Sequence, residues 1–151
     1  MTSGIKVVAR SKKAHFNYEL LERYEAGIVL LGSEVKSIRN GKVSINEAYA
    51  RVRGGEVWLI NSDVSPYECS ALNNHEPKRQ RKLLLKKREI GKIIGKTKER
   101  GLTLVPVSLY FKDGFVKVEI ALARGKRKYD KRESIQKREA DRDLRRRMSK
   151  G

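Results

Sequence analysis

The sequence predicts a mainly β chain with short helices, closing into a small antiparallel barrel and followed by a basic tail. Three observations predict it. Two tight-turn dipeptides, Gly54-Gly55 and Asp113-Gly114, each divide a pair of short runs rich in apolar and β-branched residues. Helix-period patterns are few and short. From Arg124 to the C-terminus the chain carries charge with very few apolar residues.

Taken in order, residues 1–17 read as a basic, polar lead-in with a brief apolar patch at Ile5–Ala9. The run Glu25-Ala-Gly-Ile-Val-Leu-Leu-Gly32 is short, β-branched and bounded by glycine, which marks a buried strand. Val35 and Ile38 are then three apart, with Ser33 placed to cap a helix and Gly41 to stop it. Ala48–Arg53 and Glu56–Ile60 flank the first turn, where two glycines accept the positive φ that a two-residue hairpin loop requires. Leu83, Ile90, Ile93 and Ile94 recur at helical spacing, in a segment weakened by Gly91 and Gly95 and ended by Gly101. The second hairpin joins Leu104–Phe111 to Phe115–Leu122. In its second strand Val116, Val118, Ile120 and Leu122 alternate with Lys117 and Glu119, so one face is apolar and the other partly wet.

Short strands, tight turns and one or two small helices suit a five- or six-stranded barrel of the oligonucleotide-binding kind over residues 18–123. A flat β-sandwich is the competing architecture, disfavoured by the small size and the interrupted strands. In the tail, residues 124–151, Ala140, Leu144 and Met148 are spaced by four, and Glu133/Lys137, Asp141/Arg145 and Asp143/Arg147 form i,i+4 pairs of opposite sign. Such a segment can form a helix but buries no core face, so the expectation is disorder when free and helix on an anionic surface.

Charge names the class of partner. Thirty-six Lys and Arg against eighteen Asp and Glu in 151 residues leave a formal net charge of +18. Solubility alone asks for roughly 2–8. The excess gathers in the tail and in Lys78–Arg88, where seven of eleven residues are basic and none is acidic. Such a cluster repels itself unless an anion answers it, and a polyphosphate backbone does so with release of its counterions. Tyr18, Tyr24, Tyr67 and Tyr110 are available to stack on bases, or to cap a barrel end with their hydroxyls outward.

Other classes find less support. No apolar run approaches the ~20 residues of a membrane span, the N-terminus lacks a signal-peptide core, and the tail has few apolar anchors for a lipid surface. A lone cysteine, Cys69, makes no internal disulfide, and a cytoplasmic setting is expected. His15 and His75 fit no metal or hydrolytic pattern, and no phosphate-cradling loop occurs, so neither cofactor nor metal is expected. Glu22, Glu25 and Glu34 pair with basic neighbours, accept RNA hydroxyls or hold a metal ion for phosphoryl chemistry; the sequence leaves these open.

Tyr24-Glu-Ala-Gly-Ile-Val-Leu-Leu31, Ser33-Glu-Val-Lys-Ser37, Asn74-His-Glu-Pro-Lys-Arg-Gln-Arg-Lys-Leu-Leu-Leu85, Gly101-Leu-Thr-Leu-Val-Pro106, Ile120-Ala-Leu-Ala-Arg-Gly-Lys126 and Tyr129-Asp-Lys-Arg132 follow one another in an order that spans nearly the whole chain. In that ordered set the chain closely resembles the small protein B family, the bacterial SsrA-binding proteins. The resemblance implies a non-enzymatic barrel that holds the tRNA-like domain of transfer-messenger RNA. It further implies delivery, with elongation factor Tu·GTP, to the empty A site of a stalled ribosome, one copy acting per RNA. The tail is implied to probe the vacant mRNA channel near the decoding centre.

The basic segment and the resemblance together place RNA contacts at Lys12, Lys13, Glu25, Lys36, Asn74, His75, Arg79, Arg81, Lys82, Leu84, Lys86 and Lys126. Glu25 matches an acidic contact position of the family, where a carboxylate accepts hydrogen bonds from ribose hydroxyls or base amines. Leu84 matches an apolar one. His75 is suited either to RNA or to hydrogen bonds within its loop. Tyr129, Asp130, Lys131 and Arg132 match the start of the tail, where ribosomal contacts are implied. Two departures stand out: Ser11 where the family commonly has Asn, and Lys86 where it often has His or Asn.

Overall fold

The structure, a computed structural model, describes residues 5–67, 74–98 and 102–126. In chain order its elements are β1 (Ile5–Arg10), α1 (Lys12–Asn17), β2 (Tyr18–Ile28), α2 (Gly32–Arg39), β3 (Val43–Ser44), β4 (Tyr49–Arg53), β5 (Glu56–Ile60), β6 (Asp63–Val64), β7 (Arg81–Leu84), α3 (Lys87–Thr97), β8 (Leu102–Lys112) and β9 (Phe115–Gly125). Cys69, Gly101, Tyr129, Asp130, Lys131, Arg132 and the helical pattern of the tail lie outside the described residues.

The strands pair in the order β1-β8-β4-β5-β7-β2-β9, and β9 pairs again with β8. The ring therefore closes through β8, β4, β5, β7, β2 and β9, as the barrel expectation requires, and closure leaves these strands no open edge. β8 is long enough to meet β4 at Ala50↔Leu104 and β1 from Arg10↔Ser108 to Ile5↔Lys112. Both hairpins form where the turn dipeptides predict them. Gly54 and Gly55 have φ of 62° and 75°, and Asp113 and Gly114 have φ of 51° and 85°, the doubly positive pattern of a type I′ turn.

Inward residues of the barrel strands, among them Val57, Leu59, Leu83, Leu104, Leu109, Val118, Ile120 and Leu122, form one buried core. α2 and α3 each add a fully buried isoleucine, Ile38 and Ile93. A second apolar cluster lies on the opposite face of β8 and β9, where Ala14 of α1 packs on Val105, Val107, Ala121 and Ala123. Alternation along β9 thus holds at Lys117 and Glu119, but the face expected to be wet is dry at Ala121 and Ala123 because α1 covers it.

Four local expectations are corrected. Residues 5–17 are no mere lead-in: β1 pairs with β8 and α1 roofs the second cluster. The strand expected over residues 25–32 begins at Tyr18 and ends at Ile28, because β9 offers it a partner from Tyr18↔Gly125 to Gly27↔Lys117. The α2 cap is Leu31, whose N–H donates to the Glu34 carboxylate at 2.8 Å, while Ser33 sits inside the helix and bonds elsewhere. Leu83 belongs to β7, not to the helix of Ile90 and Ile93.

Glu34 also anchors the basic segment. Its side chain is fully buried, and Arg81, equally buried, donates to it through Nε at 2.6 Å. Arg81 further donates to the Ser62 hydroxyl and to the carbonyls of Ser62, Arg79 and Pro77 at 2.8–3.1 Å. Arg79 holds the other carboxylate oxygen at 2.6 Å. Burial opposes ionisation of Glu34, but hydrogen bonds from Arg79 and Leu31 and the charge of Arg81 keep its carboxyl below the usual range. A buried pair of this kind adds little over an apolar substitute, yet removing one partner strands the other at a cost of about 3–5 kcal/mol. Glu34→Gln is therefore expected to destabilise the protein by about that amount in urea unfolding at neutral pH. Because the native carboxyl is depressed, this contribution is full above the ordinary carboxylate range and disappears as pH falls through the folded value, so the gap between wild type and variant should shrink in acid.

Candidate nucleic-acid interface

Strand parity sorts the basic segment. On β7 Arg81 and Leu83 point into the barrel, whereas Lys82 and Leu84 point out, Leu84 being 51% exposed. Arg81 is fully engaged inside, so it builds the wall rather than meeting a phosphate, which corrects the expectation of an RNA contact there. His75 is corrected likewise. Its Nδ1 meets the Ser33 hydroxyl at 2.9 Å and its Nε2 meets the Val64 carbonyl at 2.8 Å, and the residue is buried. Both bonds run out of its own loop, to α2 and to β6.

Outward residues of β2, β7, β8 and β9 gather on one face. Gly27 stands opposite Leu84, and a Cβ on Gly27 would come within 3.3 Å of the Leu84 Cβ, so the bare glycine lets the leucine lean across β2. Two residues along, Glu25 accepts a hydrogen bond from the Tyr110 hydroxyl at 2.5 Å and pairs with Lys112 at 3.3 Å. The Tyr110 bond, opposed by modest burial and helped by Lys112 and Lys117, lowers the Glu25 carboxyl below its usual value. Burial and the same carboxylate push the Tyr110 hydroxyl upward. Glu25 thus remains an anion held at a fixed angle, surrounded by cations.

The face continues toward α1. Arg23 reaches Glu119 at 2.9 Å, and both line a cleft of about 420 Å³ with Arg10, Lys12 and His15. Lys13 pairs with Glu47 on the other flank of α1. Lys126 fastens the end of β9 to this helix, its Nζ donating to the His15 carbonyl and its N–H to the Asn17 carbonyl, each at 2.9 Å. Lys12, Lys13, Glu25, Leu84 and Lys126 are in this way brought onto connected elements.

Lys36, Asn74 and Arg79 form a different group around α2. The Lys36 ammonium lies 5.3 Å from the centre of the Tyr67 ring. Asn74 clamps the Tyr67 backbone through both ends of its amide, at 3.0 and 2.8 Å. Arg79, partly exposed, spans Glu34 and the Val29 carbonyl. Lys82 pairs with Glu56 at 2.8 Å, and Lys86, ahead of α3, keeps its ammonium in solvent while its N–H donates to Glu89. The three carboxylates left open by the sequence diverge: Glu22 accepts from Tyr24, Glu25 from Tyr110, and Glu34 from the two arginines. With burial, the Glu22 contact raises the Tyr24 hydroxyl to about 12.

The family model of the SmpB protein matches residues 8–150. The chain belongs to the SmpB family. Among its relatives, the SsrA-binding protein of Geobacillus kaustophilus is 57% identical over 141 residues, covering 93% of this chain and 91% of the relative. The SsrA-binding protein of Carboxydothermus hydrogenoformans is 55% identical over 139 residues, covering 92% and 93%. A solved structure from work described as "tmRNA-SmpB: a journey to the center of the bacterial ribosome" superposes with a TM-score of 0.66 at 46% identity, covering 83% of this chain and 92% of that one.

Sequence reasoning missed Gly27, Lys112 and Lys117 as parts of this face, and it offered Tyr110 for stacking or capping without its bond to Glu25. Lys117 stands opposite both Gly27 and Tyr110 in the strand registers. The alternation in β9 already put Lys117 and Glu119 outside; what the sequence did not show is which strands flank them. Tyr110→Phe removes the strongest support of the Glu25 anion. Its carboxyl should then titrate closer to the ordinary value near 4.5, seen as an upward-shifted midpoint in an NMR titration of the side-chain carboxyl.

Proposed function

We propose that this chain binds the tRNA-like domain of transfer-messenger RNA through the face formed by Glu25, Leu84 and their cationic neighbours together with the α1 edge. The single observation that carries the reading is the convergence of an oriented carboxylate and an exposed leucine among Lys112 and Lys117 on one side of a closed barrel. Cations alone grip any phosphate backbone. A fixed acceptor beside an apolar side chain selects for ribose hydroxyls, base amines and exposed base faces, which is how a structured RNA is told from bulk nucleic acid. Family membership and relatives named SsrA-binding proteins support the same partner.

The role that follows is a rescue cofactor acting in the cytoplasm without chemistry of its own. One copy accompanies the RNA, with elongation factor Tu·GTP, to the A site of a stalled ribosome. Tyr129, Asp130, Lys131 and Arg132 begin a tail that orders in the vacant mRNA channel, where phosphate matches its excess positive charge. Among the described residues no helix is long and apolar enough to cross a membrane.

Recovery of the protein from a bacterial lysate, followed by sequencing of the RNA that accompanies it, should yield one dominant structured RNA; a spread matching bulk tRNA and rRNA would favour a general RNA chaperone instead. Glu25→Gln should weaken binding of the tRNA-like domain by about 1.5–3 kcal/mol at fixed salt. Tighter binding by this variant would mean that the carboxylate merely offsets its neighbours. The triple change Asp130→Ala, Lys131→Ala, Arg132→Ala should leave RNA binding nearly intact while abolishing peptide tagging on stalled ribosomes, and full tagging would reject the role given to the tail.

A further inference from the structure

A second outward surface lies on the β4–β5 hairpin, joined to the contacts above through the Glu56–Lys82 pair. Directly opposed residues share a face, so Arg51 with Trp58, Tyr49 with Ile60 and Arg53 with Glu56 all look outward from the barrel. The Arg53 guanidinium carbon lies 4.8 Å from the centre of the Trp58 ring, and its Nη1 donates to Gln80 Oε1 at 2.9 Å. A guanidinium supported from below and gripped at its edge is a planar cation with little side-chain freedom left to lose. Arg53 nevertheless remains exposed to solvent. Tyr49, 46% exposed, and Arg51, without an ion-pair partner among the described residues, complete an alternation of ring and cation. The nearby carboxylate of Glu56 is taken up by Lys82.

We propose that this face is a base-stacking platform for an unpaired loop of the RNA already assigned to the chain, with a nucleobase seated on the Arg53 guanidinium above Trp58. The assignment rests on the RNA-binding reading and extends it. Charge fits: arginine planes and aromatic rings side by side are what single-stranded nucleotides stack on, with neighbouring cations taking the phosphates. Continuity commits it to the same RNA. Trp58 stands opposite Lys82 on β7, two residues from Leu84, which stands opposite Gly27 on β2, so the platform adjoins the face described above without an intervening element. The other ring–cation pairs lack this setting. Lys36 on Tyr67 presents no planar group, and the Phe111 ring near Arg39 packs against the barrel core.

Arg53→Lys keeps the charge and removes the plane, which separates stacking from simple attraction. With a labelled tRNA-like-domain transcript in fluorescence anisotropy, Arg53→Lys and Arg53→Ala should both bind roughly tenfold more weakly than wild type, the size of one lost base stack, with the salt dependence of Arg53→Lys unchanged. Wild-type affinity in Arg53→Lys would overturn the proposal. Trp58 is the lone tryptophan of the chain, so its emission reports this spot alone whether or not the variants fold. In the wild-type protein, emission should change on titration with the transcript, with the same midpoint as the anisotropy; constant emission at saturation would also overturn it. Failure of wild type to prefer the transcript over an unrelated hairpin would instead undo the RNA-binding reading on which the proposal rests.

Discussion

The Arg81–Glu34 ion pair is the constraint on which the rest depends. It joins β7 to α2, two elements separated by more than forty residues, and it does so inside the wall. A guanidinium taken out of water tolerates only a geometry that satisfies most of its donors, and Arg81 finds its acceptors on Glu34, Ser62, Arg79 and Pro77. The rotational freedom of β7 is thereby removed. With Arg81 fixed inward, Lys82 must point outward, Leu83 inward and Leu84 outward, so the register of a short, strongly basic strand is set by a buried charge rather than by apolar packing alone.

That register decides what the surface can offer. A basic run left to itself would present its cations indiscriminately, whereas here every second residue is withdrawn. The outward remainder is a lysine and a leucine, and the neighbouring strands supply a carboxylate, a phenol and further lysines. Gly27 contributes by what it lacks, since its missing side chain leaves room for Leu84 beside Glu25. The chemistry of the face is consequently mixed, apolar and anionic groups set within a positive field, even though the composition of the chain is overwhelmingly basic.

Both hairpins were legible because their turns carry local chemistry: Gly54-Gly55 and Asp113-Gly114 adopt the positive φ values that the dipeptides favour. Closure of the barrel was legible only as a type, since the ring β8-β4-β5-β7-β2-β9 depends on long-range pairings that leave no local trace. Glu25 and Leu84 were read from motif resemblance, and the structure supplies what no motif contains, their adjacency through Gly27. Arg81 was misread and His75 left open for a common reason. Charge and loop position suggest exposure, and only the parity of β7 and the seat of Ser33 on α2 reveal that both side chains are turned inward. The lead-in was underestimated because the apolar patch at Ile5–Ala9 is too short to announce a strand without β8 as its partner.

The small apolar residues packed with α1 act as a ruler. Ala14 shares its buried cluster with Val105, Val107, Ala121 and Ala123, small side chains that exclude water with little bulk. The height of the helix above the sheet is accordingly set by these small side chains, and with it the elevation of Lys12 and Lys13 and the mooring point of Lys126. A valine at position 121 or 123 would add carbon without adding charge, but it would jack the helix outward and tilt three cations together. Electrostatic shape on this flank is thus written in the volume of residues that carry no charge at all.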